Sequence, residues 1–424
     1  MISLLGLKLN KDLVFFCKTI LFSRIIIVIL IFLTLAINSL VNDAITGDCI
    51  NNACRINILD LFNNFDHIVR GDVDWYKSVA LEGYTKEEFD FNIQSIIEQR
   101  LWMSQKNWAF FPAWPFIWKY ITFDTMNIYI GTLLANIFFI IGAFIMGLYI
   151  ESIASCRVKY SFYLITAFYP FSYFFSLPLP ESLFFFSSSI YIYSISKSFK
   201  SDSSFYITII SGIVCGLTKQ LSLLLSLFAL AEYFKLRNKN KINVKILSRL
   251  VIGSISPWIG LSIFMRIIFN ATGNSFSFVH IQLAWRRFPE FPFSAFYNSI
   301  KPNNFGVIID QLDNFLIANQ IIFILCIISS TILLIKGIYS WRKSNISYDY
   351  LIISISLFLV LLSATSDSAM LISLNRIVGC NPIFIIALSL SIHPKIIKLS
   401  MPIQMILLGS FTTFSALGIK PFYY

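Results

Sequence analysis

Two carboxylates, Asp72 and Asp74, lie two residues apart in Asp72-Val73-Asp74-Trp75-Tyr76. Paired carboxylates can hold Mg²⁺ or Mn²⁺ beside substrate phosphates. A single aspartate at such a place is more commonly a helix N-cap. Positions i and i+2 of a helix diverge, so both carboxylates reach one ion only where the helix begins between them. Four cations stand out against the charge pattern of the chain: Lys219, Arg286, Arg287 and Arg376. Each is either a snorkelling anchor at a helix end or, with its fellows, part of a site for an anionic headgroup such as a lipid phosphate. The three histidines are His67, near Asp72, His280 and His393. No Cys/His spacing fits zinc, and the sequence has neither a glycine-rich phosphate loop nor a nucleophile elbow.

The elements that must position these groups are membrane spans. Of 424 residues, 57% are hydrophobic and 13% charged, against roughly 45–50% and about 25% in soluble domains. A water-soluble enzyme is excluded. The 33 basic and 22 acidic residues give a net charge of +11. Spread over short loops, that charge is a topology signal and excludes nucleic acid as a partner. The expected fold is an all-α polytopic membrane protein, one integral domain over residues 1–424.

Its first apolar run, Ile25–Val41, follows Lys8, Lys11, Lys18 and Arg24 and reads as a retained span with a cytoplasmic N-terminus. Further runs lie near 127–150, 160–177, 182–195, 205–217, 221–233, 250–269, 315–335, 350–364, 377–392 and 402–417. Together they make about eleven spans, several shorter than ~20 residues, with one hairpin allowed to be re-entrant. The loops carrying Arg157, Lys159, Lys197, Lys200, Lys235–Arg249, Lys336–Lys343, Lys395 and Lys398 are the basic ones and belong inside. The long loop at residues 42–126 is acidic and belongs outside with the turns around Glu181, Lys219, His280 and Arg376. Within it, Cys49 and Cys54 are either a disulfide or two free thiols.

In that loop, Asp72–Tyr84 reads as a short interfacial helix with an apolar stripe of Trp75, Tyr76, Val79 and Ala80, stopped by Gly83. The stretch Trp108–Trp118 is dense in aromatics and broken by Pro112 and Pro115. It suits either an aromatic belt at the water–lipid boundary or a wall along which an extended lipid-linked substrate lies.

Ordered motifs resemble the PIG-V-type mannosyltransferases. Arg70-Gly71-Asp72-Val73-Asp74-Trp75-Tyr76 through Val79-Ala80 to Gly83-Tyr84 is similar to that family's first-loop motif. There an Arg-Trp-Asp precedes an aromatic pair, an Ile/Val-Ala and a Gly-Tyr. Ala109-Phe110-Phe111-Pro112-Ala113-Trp114-Pro115 resembles its Ala-Phe-Phe-Pro-Leu-Tyr-Pro. Tyr169-Pro170, Phe174-Phe175-Ser176 and Glu181-Ser182-Leu183-Phe184 look like a third block. Weaker likenesses are Gln282-Leu283-Ala284-Trp285-Arg286, and Asn375-Arg376 with Asn381-Pro382. Gly71 replaces the family tryptophan, and Lys219-Gln220 stands where an Arg-Ser-Asn-Gly-like run is usual.

The resemblance implies a GT-C-type glycosyltransferase that moves a hexose, mannose or a relative, from a polyprenyl-phosphate carrier. The acceptor would be lipid- or glycan-linked, on the non-cytoplasmic side, with membrane lipids as surroundings. Apart from the resemblance, the lack of a retrieval signal at Phe422-Tyr423-Tyr424 leads to the expectation of a bacterial cytoplasmic membrane. A lipid phosphate is already a good leaving group, so one base suffices for an inverting displacement. The implied base is Asp72, with Lys219, Arg286 and Arg376 neutralising the phosphate. Glu181 and His280 would position the acceptor. Arg70, Asp74, Trp75, Tyr76, Phe111 and Trp114 would complete the substrate site, and Mg²⁺ or Mn²⁺ at Asp72 and Asp74 is the one cofactor considered. The alternatives are a transporter or lipid flippase, which place ionisable groups near the midplane, and a non-enzymatic scaffold.

Overall fold

The computed structural model describes residues 11–46, 72–87, 105–198, 201–285, 293–299, 316–342, 348–362 and 374–416. Two stretches of the long loop, 47–71 with Cys49, Cys54 and His67, and 88–104, lie outside these residues. The described residues are helical, with no strand among them. In chain order the helices are α1 (Lys11–Thr46), α2 (Asp72–Leu81), α3 (Ala113–Ile121), α4 (Ile128–Ile153), α5 (Cys156–Phe168) and α6 (Pro180–Ile195). They continue with α7 (Asp202–Gly216), α8 (Leu227–Asn238), α9 (Val244–Thr272), α10 (Leu316–Arg342), α11 (Tyr348–Leu362), α12 (Pro382–Ser391) and α13 (Pro394–Ala416).

Five segments are long and apolar enough to cross a membrane: Asp12–Thr34, Ile128–Ile153, Val244–Thr272, Asn319–Ser340 and Pro394–Thr413. The chain is an integral membrane protein by that measure. Helices α7, α11 and α12 are apolar but shorter. The expected pair of spans at 205–217 and 221–233 is α7, a 3₁₀ segment Gln220–Ser226, and α8.

Ion pairs bind the bundle at one end. Lys159 Nζ lies 2.8 Å from Asp12 Oδ2 and 2.9 Å from Glu151 Oε2, tying α5 to α1 and α4. Lys235 Nζ lies 2.7 Å from Glu232 and 2.6 Å from Asp349, and the Tyr149 hydroxyl donates to Asp349 at 2.8 Å. Arg249 pairs with Asp202, and Lys336 donates to the Leu390 carbonyl at 2.6 Å. These contacts come from the loops that are basic in sequence, so those loops gather at one end of the bundle.

Small residues let helices touch by their backbones. A Cβ on Gly216 of α7 would overlap the Pro257 carbonyl of α9, and one on Gly260 would overlap the Ile213 carbonyl. Pro257 lacks the N–H that the Gly253 carbonyl would receive in a regular helix. That carbonyl accepts instead from the Tyr191 hydroxyl at 3.1 Å and from Ser256 Oγ at 2.8 Å.

Two sequence expectations are corrected. Arg24 does not flank the first span but lies within α1, twelve residues and about 18 Å beyond Asp12 at the helical rise. It is 4% exposed. The expected span 160–177 is helical only to Phe168; Pro170 follows, and Ser172–Ser176 forms a 3₁₀ turn. The two corrections are one fact. Irregular backbone at membrane depth needs partners from the protein itself, and Arg24 supplies them. Its Nη1 donates to the Ser172 carbonyl at 2.8 Å and Ser176 Oγ at 3.1 Å. Its Nη2 donates to the Ala167 carbonyl at 3.2 Å and Ser172 Oγ at 2.5 Å. The guanidinium also lies 4.4 Å from the centre of the Phe139 ring, a cation–π contact.

Replacing Arg24 with Leu removes these donors while leaving their acceptors buried. The expected cost is roughly 2–6 kcal/mol, from two stranded carbonyls at ~1–3 kcal/mol each. Unfolding of the purified chain in detergent measures it, and a change below ~0.5 kcal/mol would show that the segment holds itself.

Candidate functional site

At the other end of the bundle, four charged side chains from four separate segments meet. Asp72 begins α2. Glu181 is the second residue of α6, Lys219 follows α7, and Arg376 sits in the turn Leu374–Ile377. Arg376 Nη2 is in direct contact with Asp72 Oδ2, and Arg376 Nε lies 3.3 Å from Glu181 Oε1. Lys219 Nζ donates to the same Glu181 oxygen at 2.8 Å. The result is an alternating row: Asp72, Arg376, Glu181, Lys219.

Each member is held by its own neighbourhood. Pro180 opens α6, where a fixed φ and a missing N–H cost nothing, and it leaves Glu181 in the first turn. There the helix dipole favours a carboxylate. The approach to α6 is fixed by Ser182 Oγ, which donates to the Phe175 carbonyl at 2.7 Å. The preceding 3₁₀ turn is the one gripped by Arg24. Lys219 follows a turn closed by its own N–H to the Cys215 carbonyl at 3.0 Å. The Arg376 turn is drawn toward the 169–179 segment by the weak 3.7 Å contact of Cys380 Sγ with the Phe171 carbonyl.

Helix α2 buries Val73, Tyr76, Val79 and Ala80. Trp75, expected in that stripe, is half-buried and stacks on Phe110 with ring centres 5.9 Å apart. Gly83 ends the helical turn with φ +77°, the left-handed region open to glycine. The connection beyond is braced by Asn107, whose Nδ2 donates to the Gly83 carbonyl at 2.9 Å. Its Oδ1 accepts from the Thr85 N–H at 3.1 Å.

The aromatic segment is an internal brace. Trp108, Trp114 and Trp118 are fully buried, and each indole N–H is satisfied. Trp114 donates to the Pro178 carbonyl at 2.9 Å, and Trp118 to the Asn127 carbonyl at 2.9 Å. The Ala113 N–H donates to the Leu217 carbonyl at 3.0 Å, which links α3 to the Lys219 turn. Phe111 packs on Phe264 at 4.3 Å between ring centres and on Phe278 at 5.9 Å. An aromatic belt facing lipid does not describe these tryptophans.

Electrostatics bind the row together. Burial opposes the Arg376 charge, but Asp72 and Glu181 outweigh it and hold the guanidinium proton more tightly than usual. Burial, with the carboxylates of Glu181 and Asp72, pushes the Tyr76 phenol well above its ordinary range, so it remains a protonated neighbour. Glu181 is 1% exposed, and its Oε2 has no hydrogen-bond partner among the described residues. A buried carboxylate oxygen without a donor is uncommon. It marks a place where a ligand N–H or O–H would be welcome.

The remaining candidates fall elsewhere. Asp74 is exposed while Asp72 turns to Arg376. Both lie inside one helix, where residues two apart project about 200° from each other. His280 closes a turn, Ser277–His280, packed on Asn107–Ala109, and burial lowers its pKa so that the ring is neutral near pH 7. Arg70, Arg286 and Arg287 lie outside the described residues, as do the side chains of Trp285 and Asn375.

Sequence reasoning missed Arg24 and Asn107. Arg24 carried a signal, a charge entering an apolar run; nothing in the pattern around Asn107 distinguishes it from a loop polar residue. No family model matches the chain, and no curated protein matches it.

Glu181→Gln keeps the shape of the side chain but removes the charge shared by two cations. Breaking a buried pair from one side costs ~3–5 kcal/mol; because Lys219 and Arg376 are partly solvated, roughly 2–3 kcal/mol is expected. Thermal unfolding should show a larger loss for Glu181→Gln than for Asp74→Asn, which removes an exposed charge. Equal losses would contradict the pairing.

Proposed function

We propose that the chain is a membrane glycosyltransferase that moves a hexose, mannose or a relative, from a polyprenyl-phosphate carrier to a lipid- or glycan-linked acceptor. The reading includes about eleven spans, an external loop over residues 42–126 and a site on the non-cytoplasmic face of a bacterial cytoplasmic membrane. The observation that carries it is the row Asp72–Arg376–Glu181–Lys219, two carboxylates and two cations brought to one end of the bundle. The motif order and the unpartnered Glu181 Oε2 add support.

In this scheme the acceptor hydroxyl attacks the anomeric carbon of the sugar. The bond from that carbon to the phosphate oxygen breaks, and the electron pair leaves with the lipid phosphate. Asp72 takes the hydroxyl proton, and the configuration inverts in the single displacement. Arg376 and Lys219 meet the charge that grows on the phosphate, an electrostatic role worth most where water is partly excluded. Glu181 holds both cations on one oxygen and offers the other to a sugar or acceptor hydroxyl. None of these steps uses a metal ion.

A transporter would call for charged groups along a path through the bundle. The charge deep in α1, Arg24, is instead engaged by backbone carbonyls and serine hydroxyls.

Transfer from a radiolabelled polyprenyl-phosphate-hexose pool in membranes tests the reading at matched expression. Asp72→Asn should lose about 10²-fold or more, as expected for removal of a general base. Asp74→Asn should stay within a few-fold of wild type. Equal loss in both, restored by added Mn²⁺ or Mg²⁺, would replace the base with a metal-bound pair. Absence of transfer by folded wild type from every carrier would overturn the assignment.

A further inference from the structure

Asp72, the base in the reading above, is covered by a guanidinium. The Asp72 oxygen that faces Arg376 accepts from its Nη2, so the lone pair on that oxygen is already engaged. The depth of the four side chains gives the row a direction. Glu181 is sealed, with a side chain 0% exposed, while Arg376, Asp72 and Lys219 are 12%, 16% and 16% exposed. A group arriving from the open side therefore meets the two cations and the rim of Asp72, with Glu181 beneath them.

The four charges sum to zero, so an added anion must be balanced by redistributing the existing N–H donors. Guanidinium has five. Arg376 can keep Nε beside Glu181 while Nη2 changes partner, because those two contacts use different nitrogens. Lys219 is tethered to the same Glu181 oxygen, and among the described residues its two further N–H groups are open to a ligand. Glu181 Oε2, without a partner among the described residues, can take up a donor displaced in the rearrangement.

We infer that Arg376 masks Asp72, and that an anionic prenyl-phosphate headgroup unmasks it by drawing Nη2 from the carboxylate to a phosphate oxygen, with Glu181 as the pivot. The inference rests on the glycosyltransferase reading and adds a regulation to it. The donor lipid must bind before the acceptor hydroxyl can be deprotonated, so an acceptor bound alone meets an occupied base. This order protects the site from activating water or acceptor without a sugar in place.

The test is binding, without turnover. Labelled farnesyl phosphate is titrated against the full chain in neutral-lipid nanodiscs, with farnesol as the uncharged control. If the headgroup must compete with Asp72 for Arg376, removing the competitor strengthens binding. Asp72→Asn and Asp72→Ser should each bind the phosphate about tenfold tighter than wild type, in the range of coupling between close charge pairs. Asp74→Asn, which changes net charge by the same amount two residues away, should bind as wild type. The gain should vanish in Asp72→Asn/Arg376→Gln, and farnesol binding should be the same throughout.

Asp72 variants that bind the phosphate equally or more weakly would overturn the masking and leave the glycosyltransferase reading intact. So would a gain in Asp74→Asn as large as in Asp72→Asn, since that would be a general charge effect. Failure of folded wild type and every variant to bind the phosphate above farnesol would overturn the masking and the lipid-phosphate donor together. Unfolding measured in the same nanodiscs separates loss of binding from loss of fold.

Discussion

In a hydrocarbon surrounding, backbone that leaves the helix must find its hydrogen bonds inside the protein. Much of the site end depends on how one stretch, 169–179, meets that demand. Arg24 reaches across from α1 and donates to carbonyls and hydroxyls of Ala167, Ser172 and Ser176. Ser176 passes the contact on to Asn136 of α4 at 2.9 Å, so three elements are joined through one side chain. The chain then turns through Pro178, whose carbonyl accepts from buried Trp114, and enters α6 with Glu181 in place. A structural cation thus sits behind the carboxylate that organises the two cations of the site.

The two ends of the bundle use charge differently. At the basic end, Lys159 and Lys235 each sit between two carboxylates, and the clusters join helix termini. At the other end the order is reversed: the carboxylate of Glu181 sits between two cations, and its second oxygen has no partner among the described residues. Positive charge partly reachable by solvent, backed by a sealed anion, is poised for an anionic ligand. A lysine flanked by two carboxylates is already satisfied. Among the described residues, this contrast favours the Glu181 end for an anionic ligand.

The aromatic segment shows why composition misleads about role. Tryptophan at a membrane boundary is often an anchor, because its N–H seeks water while its ring seeks lipid. Here carbonyls of Thr85, Pro178 and Asn127 replace the water, so Trp108, Trp114 and Trp118 are drawn inward. Trp114 packs on Phe138 and Trp118 lies against Gly131, both of α4, and the three N–H groups tie down loop carbonyls.

Much was legible in the sequence because it is local. Apolar runs long enough to be helices, basic loops between them, the amphipathic turn pattern of Asp72–Leu81 and its stop at Gly83 depend on neighbours within a few residues. So does the membrane class, which follows from composition. Lys219 and Arg376 were also legible, as external cations against the charge pattern, and Asp72 and Glu181 as residues of the acidic loop, the outer bend and the motif resemblance. Their contact was not, since residues 72, 181, 219 and 376 approach only when helices from the whole chain pack. The depth of Arg24 was decided by tertiary structure for the same reason. In sequence it reads as the last of a basic flank; in the fold it meets carbonyls freed by the break after Phe168, and only those partners make a buried guanidinium tolerable.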